Sequence, residues 1–551
     1  MKELWHRLAA QPLLLLELGI ASLLVNLLAL ASPLYVTQVL NRYVVSGVDA
    51  TLITMTVGVI LAILLEWGFR HARLRLAMGV GMQRDRELTH GTLGLLTTAK
   101  ADPLLAMPSA QRREIPRHLH TIRAAYSAPN LAAMLDAPFS VVTLAVLMAL
   151  HPVLGLIGCG CLLLLVVHTL ISQRITRRTL QKIQDQALRK EAVAHAITER
   201  IDTVRAFGGA EWMRHRWLER HHSHDTLQRD LETHQGISQG VQGVVQALLS
   251  VMIIAFGARL VLAGELQVGT LIGANILAGR AMAPLLRLMA LNEGLVKAGQ
   301  ALTRLEQLAG MPVERSGGAT LKAYQGGLEL RDLAKRPPHS PMPLFESVTL
   351  TLPPGGVLGV SGDDGMAKSM LARLLIGVAE PDRGQILADG VDIAQLDPGW
   401  WRSQLIYLPR EPEFLEGTIR ENLTRLDPEI PVATLSRAIA DAGLAPWLDG
   451  SPQGLESGLT DGGAALSPDL RKRLALARAL LHRGRLAILD EPTENLDPKG
   501  LATLYGLLRQ LSLDGTTLVI FTHDPHILRA ASLVLDLNHK PKPLLINRIP
   551  A

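Results

Sequence analysis

The sequence predicts an all-α membrane domain of six helices followed by an α/β domain with a largely parallel sheet. Three observations carry this. Apolar runs of roughly 20 residues, the length that crosses a bilayer core, recur before about residue 310. The connections between them alternate between short and long, and the long ones are cationic. Beyond residue 327, short β-branched runs alternate with helical patterns.

Composition agrees with a chain divided in this way. Of the 551 residues 48% are hydrophobic and 19% are charged, and the mean hydropathy is +0.23. The net charge is +5. The arginines cluster in loops between apolar runs, with no basic stripe interleaved with aromatics. They read as topology signals, which argues against nucleic acid as a partner and for a lipid bilayer. The two cysteines, Cys159 and Cys161, lie in one apolar run. Two residues apart on a helix, they face nearly opposite ways and predict neither a disulfide nor a metal site.

The expected spans are Leu13–Val39, Leu52–Phe69, Leu131–Leu150, Val153–Ile171, Val244–Leu262 and Thr270–Leu291. Lys2 and Arg7 before the first could head a signal peptide, but the further spans favour a retained helix. Only His151-Pro152 separates the third span from the fourth, which predicts a tight hairpin. Asn41–Thr51 and Ala263–Gly269 are short and nearly free of cations. The stretches 70–130 and 172–243 are long and hold clusters such as Arg84, Arg86, Arg112, Arg113, Arg177 and Arg178. Cations stay on the cytoplasmic side, so both long connections and both termini are expected there.

Leu180–Thr203 and Trp212–Thr233 are rich in Leu, Ala, Gln, Arg and Glu and contain no proline. They predict helices that carry the spans into the cytoplasm, with a turn at Gly208-Gly209. His215, His221, His222 and His224 read as a solvated helix face. Arg280 and Arg287 are charges within or just beyond the last span. Met311–Gly327, rich in Gly and Pro, reads as a linker. The expected domains are therefore 1–310, in the membrane with helical extensions, and 328–551, with 311–327 joining them.

The chemistry lies in the second domain. Gly362-Asp363-Asp364-Gly365-Met366-Ala367-Lys368-Ser369 follows the strand Val357–Ser361 and precedes a helix beginning near Met370. It nearly matches the phosphate-binding pattern G-x-x-x-x-G-K-[ST]. Backbone N–H groups of such a loop attract phosphate oxygens. Lys368 would bridge the outer phosphates and the Ser369 hydroxyl would ligate Mg²⁺. Leu486-Ala487-Ile488-Leu489-Asp490-Glu491 is an apolar strand ending in two acids. There Asp490 would hold Mg²⁺ and Glu491 would polarise an attacking water. Phe521-Thr522-His523 ends another apolar run and offers His523 to the γ-phosphate.

Between the loop and the last of these motifs stand further segments. Leu466-Ser467-Pro468-Asp469-Leu470-Arg471-Lys472-Arg473 resembles the signature region of ABC transporters, usually LSGGQ before a basic helix. Glu494-Asn495-Leu496-Asp497 resembles their D-loop, and Glu416–Leu423 resembles the segment after their Q-loop. Leu135–Phe139, Gly264–Gly269 and Leu277–Pro284 look like segments of type I secretion exporters. The resemblance covers nearly the whole chain. It implies ATP and Mg²⁺ as cofactors and a second ABC half as partner, in a homodimer or a heterodimer. It also implies a place in the bacterial inner membrane, a peptide or protein cargo, and a membrane-fusion protein and outer-membrane channel as further partners. On the same grounds Gly362, Gly365, Ala367, Lys368, Ser369, Met370, Arg410 and Ser467 fall at nucleotide-binding positions, and Glu491 and His523 at catalytic ones.

Five residues depart from the family pattern. Pro337 stands near the place of the aromatic residue that stacks on adenine. Ala367 replaces a glycine, Arg410 replaces the Q-loop glutamine, and Pro468-Asp469 replace the signature glycines. Arginine can bind phosphate but cannot ligate a cation. Proline has no N–H to offer a phosphate. Ser-Pro-Asp is nevertheless a strong helix start. Two function classes remain: an ATP-driven exporter half, or a hydrolysis-impaired subunit with a regulatory or structural role.

Overall fold

The computed structural model describes residues 2–9, 11–337, 342–424, 429–482 and 484–547. The chain divides into two compact units.

The first unit comprises Met1–Thr97 and Met107–Met311 and is helical. Among the described residues, six helical segments are long and apolar enough to cross a membrane: Pro12–Tyr43, Asp49–Thr98, Ala128–Leu150, Pro152–Glu199, Ala210–Leu262 and Val268–Ala309. Each contains one expected span. The 48 residues of Pro152–Glu199 and the 53 of Ala210–Leu262 extend about 70 and 80 Å at 1.5 Å per residue, far beyond a bilayer core. The excess falls in the proline-free stretches, where leucine, alanine and long polar side chains favour helix. The chain reverses between them through a short helix Ile201–Ala206 and a turn in which Gly208 has φ +60°.

At the other end of Pro152–Glu199 the hairpin is tight. His151 caps the helix by accepting the Val153 N–H, and Pro152 takes the first turn. A Cβ on Gly155 would lie 2.6 Å from the Met148 Cα, so glycine is what lets the two helices meet. Leu144, Leu147, Leu154, Leu165, Leu249, Ile253 and Leu277 form the core of this unit. Its polar seam is Arg73, ion-paired to Asp136, which also accepts from Asn26 Nδ2 at 3.0 Å. Arg280 donates to the Ala29 carbonyl, so this charge is spent on a helix end.

The second unit comprises Pro312–Ala551 together with Thr98–Ala106. The short helix Ala101–Ala106 is held here by Asp102, which accepts from Arg373 at 3.0 Å, and by Lys100 paired with Glu380. Residues 312–327 lie outside helices and strands and are pinned: Ala319 N–H donates to the Gln395 carbonyl, Arg402 pairs with Glu314, and buried Tyr324 meets Trp401 edge-on.

Among the described residues twelve strands follow: β1 (Leu328–Lys335), β2 (Phe345–Leu352), β3 (Val357–Ser361), β4 (Arg383–Ala388), β5 (Val391–Asp392), β6 (Leu405–Leu408), β7 (Gly417–Thr418), β8 (Gly458–Leu459), β9 (Leu486–Asp490), β10 (Thr517–Phe521), β11 (Leu533–Asp536) and β12 (Leu544–Asn547). An antiparallel sheet has the order β2-β1-β4-β5. The main sheet has the order β12-β11-β3-β10-β9-β6, parallel except for the edge strand β12. β9 and β10 are buried at every position, which is why they read as continuous apolar runs and do not alternate. β10 lies between β3 and β9, with Phe521 level with both Val360 and Asp490. The carboxyl ends of three strands distant in sequence therefore open at one place, where ligands bind in open α/β sheets.

Candidate nucleotide site

Each of those strand ends delivers chemistry. After β3, Gly362–Asp364 turn into the helix Gly365–Leu375, which brings Lys368 and Ser369 to its first turns. A Cβ on Gly362 would lie 2.9 Å from that of Leu537, so the turn has no room for a side chain. At the end of β9, Asp490 is buried and Glu491 takes φ +46°. A non-glycine residue in that region is strained, and such strain collects at functional sites. After β10 comes His523.

These groups touch. The Lys368 ammonium is only 1% exposed. It is ion-paired to Glu491 Oε1 and lies 2.6 Å from His523 Nε2. Ser369 Oγ donates to Asp490 Oδ2 at 2.7 Å. Asp490 Oδ1 is buried with no hydrogen-bond partner among the described residues. Burial pushes the Asp490 carboxyl up, against the Ser369 hydrogen bond that favours its charge. A buried orphan carboxylate oxygen beside a hydroxyl is a hard-oxygen donor pair that suits Mg²⁺.

Comparison with known proteins agrees with this geometry. The family model described as the ABC transporter transmembrane region matches residues 15–285, and the one described as ABC transporter matches residues 345–494. The chain belongs to the ABC transporter family. It is 28% identical over 521 residues to the type I secretion system ATP-binding protein PrsD of Rhizobium meliloti (strain 1021), covering 94% of this chain and 89% of that protein. It is also 28% identical to the exotoxin translocation ATP-binding protein PaxB of Pasteurella aerogenes, covering 95% and 74%. The leukotoxin export ATP-binding protein LtxB of Aggregatibacter actinomycetemcomitans is 28% identical, covering 92% and 72%. Among solved structures, a bacterial Atm1-family ABC exporter with ATP bound superposes with a TM-score of 0.86 at 18% identity, covering 98% of this chain and 96% of that one. The fold is that of an ABC exporter, a multi-pass membrane protein.

The departures at Ala367, at Arg410 and in the signature each have a local explanation. The Ala367 methyl is fully buried in the main core, and Met370 packs into the same core. Ala367 is thus accommodated on the core side of the helix. Arg410 forms a two-pronged pair with Glu494, at 3.0 and 3.1 Å, which ties the Q-loop position to the D-loop. It also overhangs the phosphate loop: a Cβ on Gly365 would lie 2.5 Å from an Arg410 nitrogen. Ser467 caps the helix Pro468–Leu480 by accepting the Leu470 N–H at 3.3 Å, with Pro468 in the first turn. Asp469 pairs with Arg473, and Arg473 pairs in turn with Asp497. Pro337 stands two residues past β1; its neighbours 338–341 lie outside the described residues.

Sequence reading missed Lys472. Its ammonium is buried and donates to the carbonyls of Pro409, Arg410 and Asp490 at 3.1–3.2 Å. One side chain thereby joins the signature helix, the Q-loop and the end of β9. Desolvation lowers its pKa to about 8, against the pull of Asp490. It lies in the run Arg471-Lys472-Arg473 of the basic signature helix, where only burial sets it apart from its neighbours. Lys540 and Asn538, which hold the phosphate loop from the far end of the chain, were missed for want of any local signal.

Proposed function

We propose that this chain is one half of a dimeric ATP-driven exporter in a bacterial inner membrane, with domains at 1–310 and 328–551, moving a peptide or protein. The observation that carries the reading is the convergence of Lys368, Ser369, Asp490, Glu491 and His523 on three adjacent strand ends. ATP–Mg²⁺ would use Ser369 and Asp490 for the metal and Lys368 with the loop N–H groups for the phosphates. Bound Mg²⁺ would neutralise phosphate charge. Lys368 then exchanges Glu491 for phosphate, and the released Glu491 carboxylate is free to orient a water and take its proton. His523, half exposed beside it, can donate to the terminal phosphate. Arg410 adds a cation at the rim of the loop.

The type I secretion, exotoxin and leukotoxin relatives support a polypeptide cargo, and with it a membrane-fusion protein and an outer-membrane channel. A second reading rests on the signature. Ser467 spends its hydroxyl on its own helix, and Pro468 has no N–H, so this signature is a poor cap for ATP on a facing half. That favours a heterodimer in which another chain supplies the signature over Lys368, or a subunit with impaired hydrolysis.

Spin labels test the switch. Phe207, 85% exposed in the turn between Pro152–Glu199 and Ala210–Leu262, is replaced by Cys after Cys159→Ala and Cys161→Ala. In nanodiscs, ATP–Mg²⁺ should shorten the label-to-label distance in a homodimer. A distribution unmoved by ATP would contradict alternating access. Loss of all dipolar coupling would place one copy per assembly and a different chain opposite it.

A further inference from the structure

The phosphate loop holds a carboxylate of its own where a ligand would sit. Asp364 Oδ1 accepts the backbone N–H of Met366 at 3.0 Å and of Ala367 at 3.3 Å. Its other oxygen is held by Lys540 Nζ at 2.5 Å. Asn538, two residues before Lys540, accepts the Asp363 N–H at 2.8 Å. Both acids of the loop are therefore tied to one segment that follows β11. Asp397, Asp497 and Asp524 also cap helices in this unit, but none of those helices begins in a phosphate loop. At Gly365–Leu375 the capped N–H groups are the donors that the loop pattern offers to phosphate.

We propose that the Asp364 carboxylate, latched by Lys540, occupies the phosphate cradle in the resting chain, and that ATP binds only by displacing it. This rests on reading the loop as an ATP site. Two anions cannot share the same pair of N–H groups, so each molecule with the latch closed is closed to ATP. Apparent affinity is then lowered by the fraction of open molecules. Opening has its own compensation, because the freed Lys540 ammonium is left beside the arriving phosphates. The segment 538–540 thereby sets nucleotide affinity from outside the recognised motifs.

The test is equilibrium binding of radiolabelled ATP with Mg²⁺ to the full chain in nanodiscs, with Glu491→Gln throughout so that bound ATP persists. Asp364→Ser should bind about tenfold more tightly, as expected if the latch is closed in nine molecules of ten. Asp364→Asn, which keeps the cap without its charge, should fall between. Thermal unfolding of each variant checks folding, and Asp364→Asn decides the matter if the serine variant is unstable. Folded variants that bind no more tightly than the parent would overturn the latch while leaving the ATP site standing. Absence of ATP binding in parent and variants alike would overturn the ATP site itself, and the latch with it.

Discussion

Replacing Lys368 by Ala should leave the chain folded in the membrane but without useful affinity for ATP. Lys368 is buried beneath the loop, and its ammonium is shared between Glu491 and His523. Its removal takes away the cation best placed to meet the outer phosphates. It also leaves the Glu491 carboxylate, 7% exposed, facing the incoming anion with its ion-pair partner gone. A charge-assisted hydrogen bond contributes about 3 kcal/mol, so affinity should fall by about 100-fold before that repulsion is counted. Radiolabelled ATP binding in nanodiscs measures it. Wild-type affinity in Lys368→Ala would place the nucleotide elsewhere.

Asp136→Ala should instead destabilise the membrane unit itself. Arg73 and Asp136 have side chains 5% and 6% exposed, and they join three helices through Ser22 and Asn26. Removing the acid strands a guanidinium where solvent cannot reach it. Breaking a buried pair by deleting one partner costs about 3–5 kcal/mol, whereas replacing both by apolar groups costs far less. The apparent unfolding temperature in detergent should drop sharply for Asp136→Ala and recover in the double variant Arg73→Met, Asp136→Leu. Equal losses in the single and double variants would mean that packing, and not the stranded charge, holds the seam.

The sequence displayed what repeats or alternates. The six spans were legible because a bilayer demands long apolar runs, and the parallel sheet because buried strands read as apolar blocks. Ser467-Pro468-Asp469 announced a helix start, and Ser467 does cap that helix. What stayed hidden depends on contacts between distant residues. Arg410 reads as the loss of a glutamine until Glu494 is found opposite it. Lys472 resembles its neighbours in every local respect and differs only in being buried. Thr98–Ala106 lies within a long cationic loop of the membrane half, yet packs in the second unit through Asp102 and Lys100. Lys540 meets Asp364 across 176 positions of sequence. No periodicity records such a contact.

The proposed exporter half requires Glu491 to act as the catalytic base beside altered Q-loop and signature motifs. The most direct measurement is the ATPase rate of the purified chain alone in lipid nanodiscs, with Glu491→Gln as its control. The proposed exporter half predicts Mg²⁺-dependent hydrolysis in the wild type that the substitution abolishes. A wild-type rate no higher than that of Glu491→Gln would contradict an autonomous ATPase, leaving a hydrolysis-impaired subunit or one that needs another chain's signature.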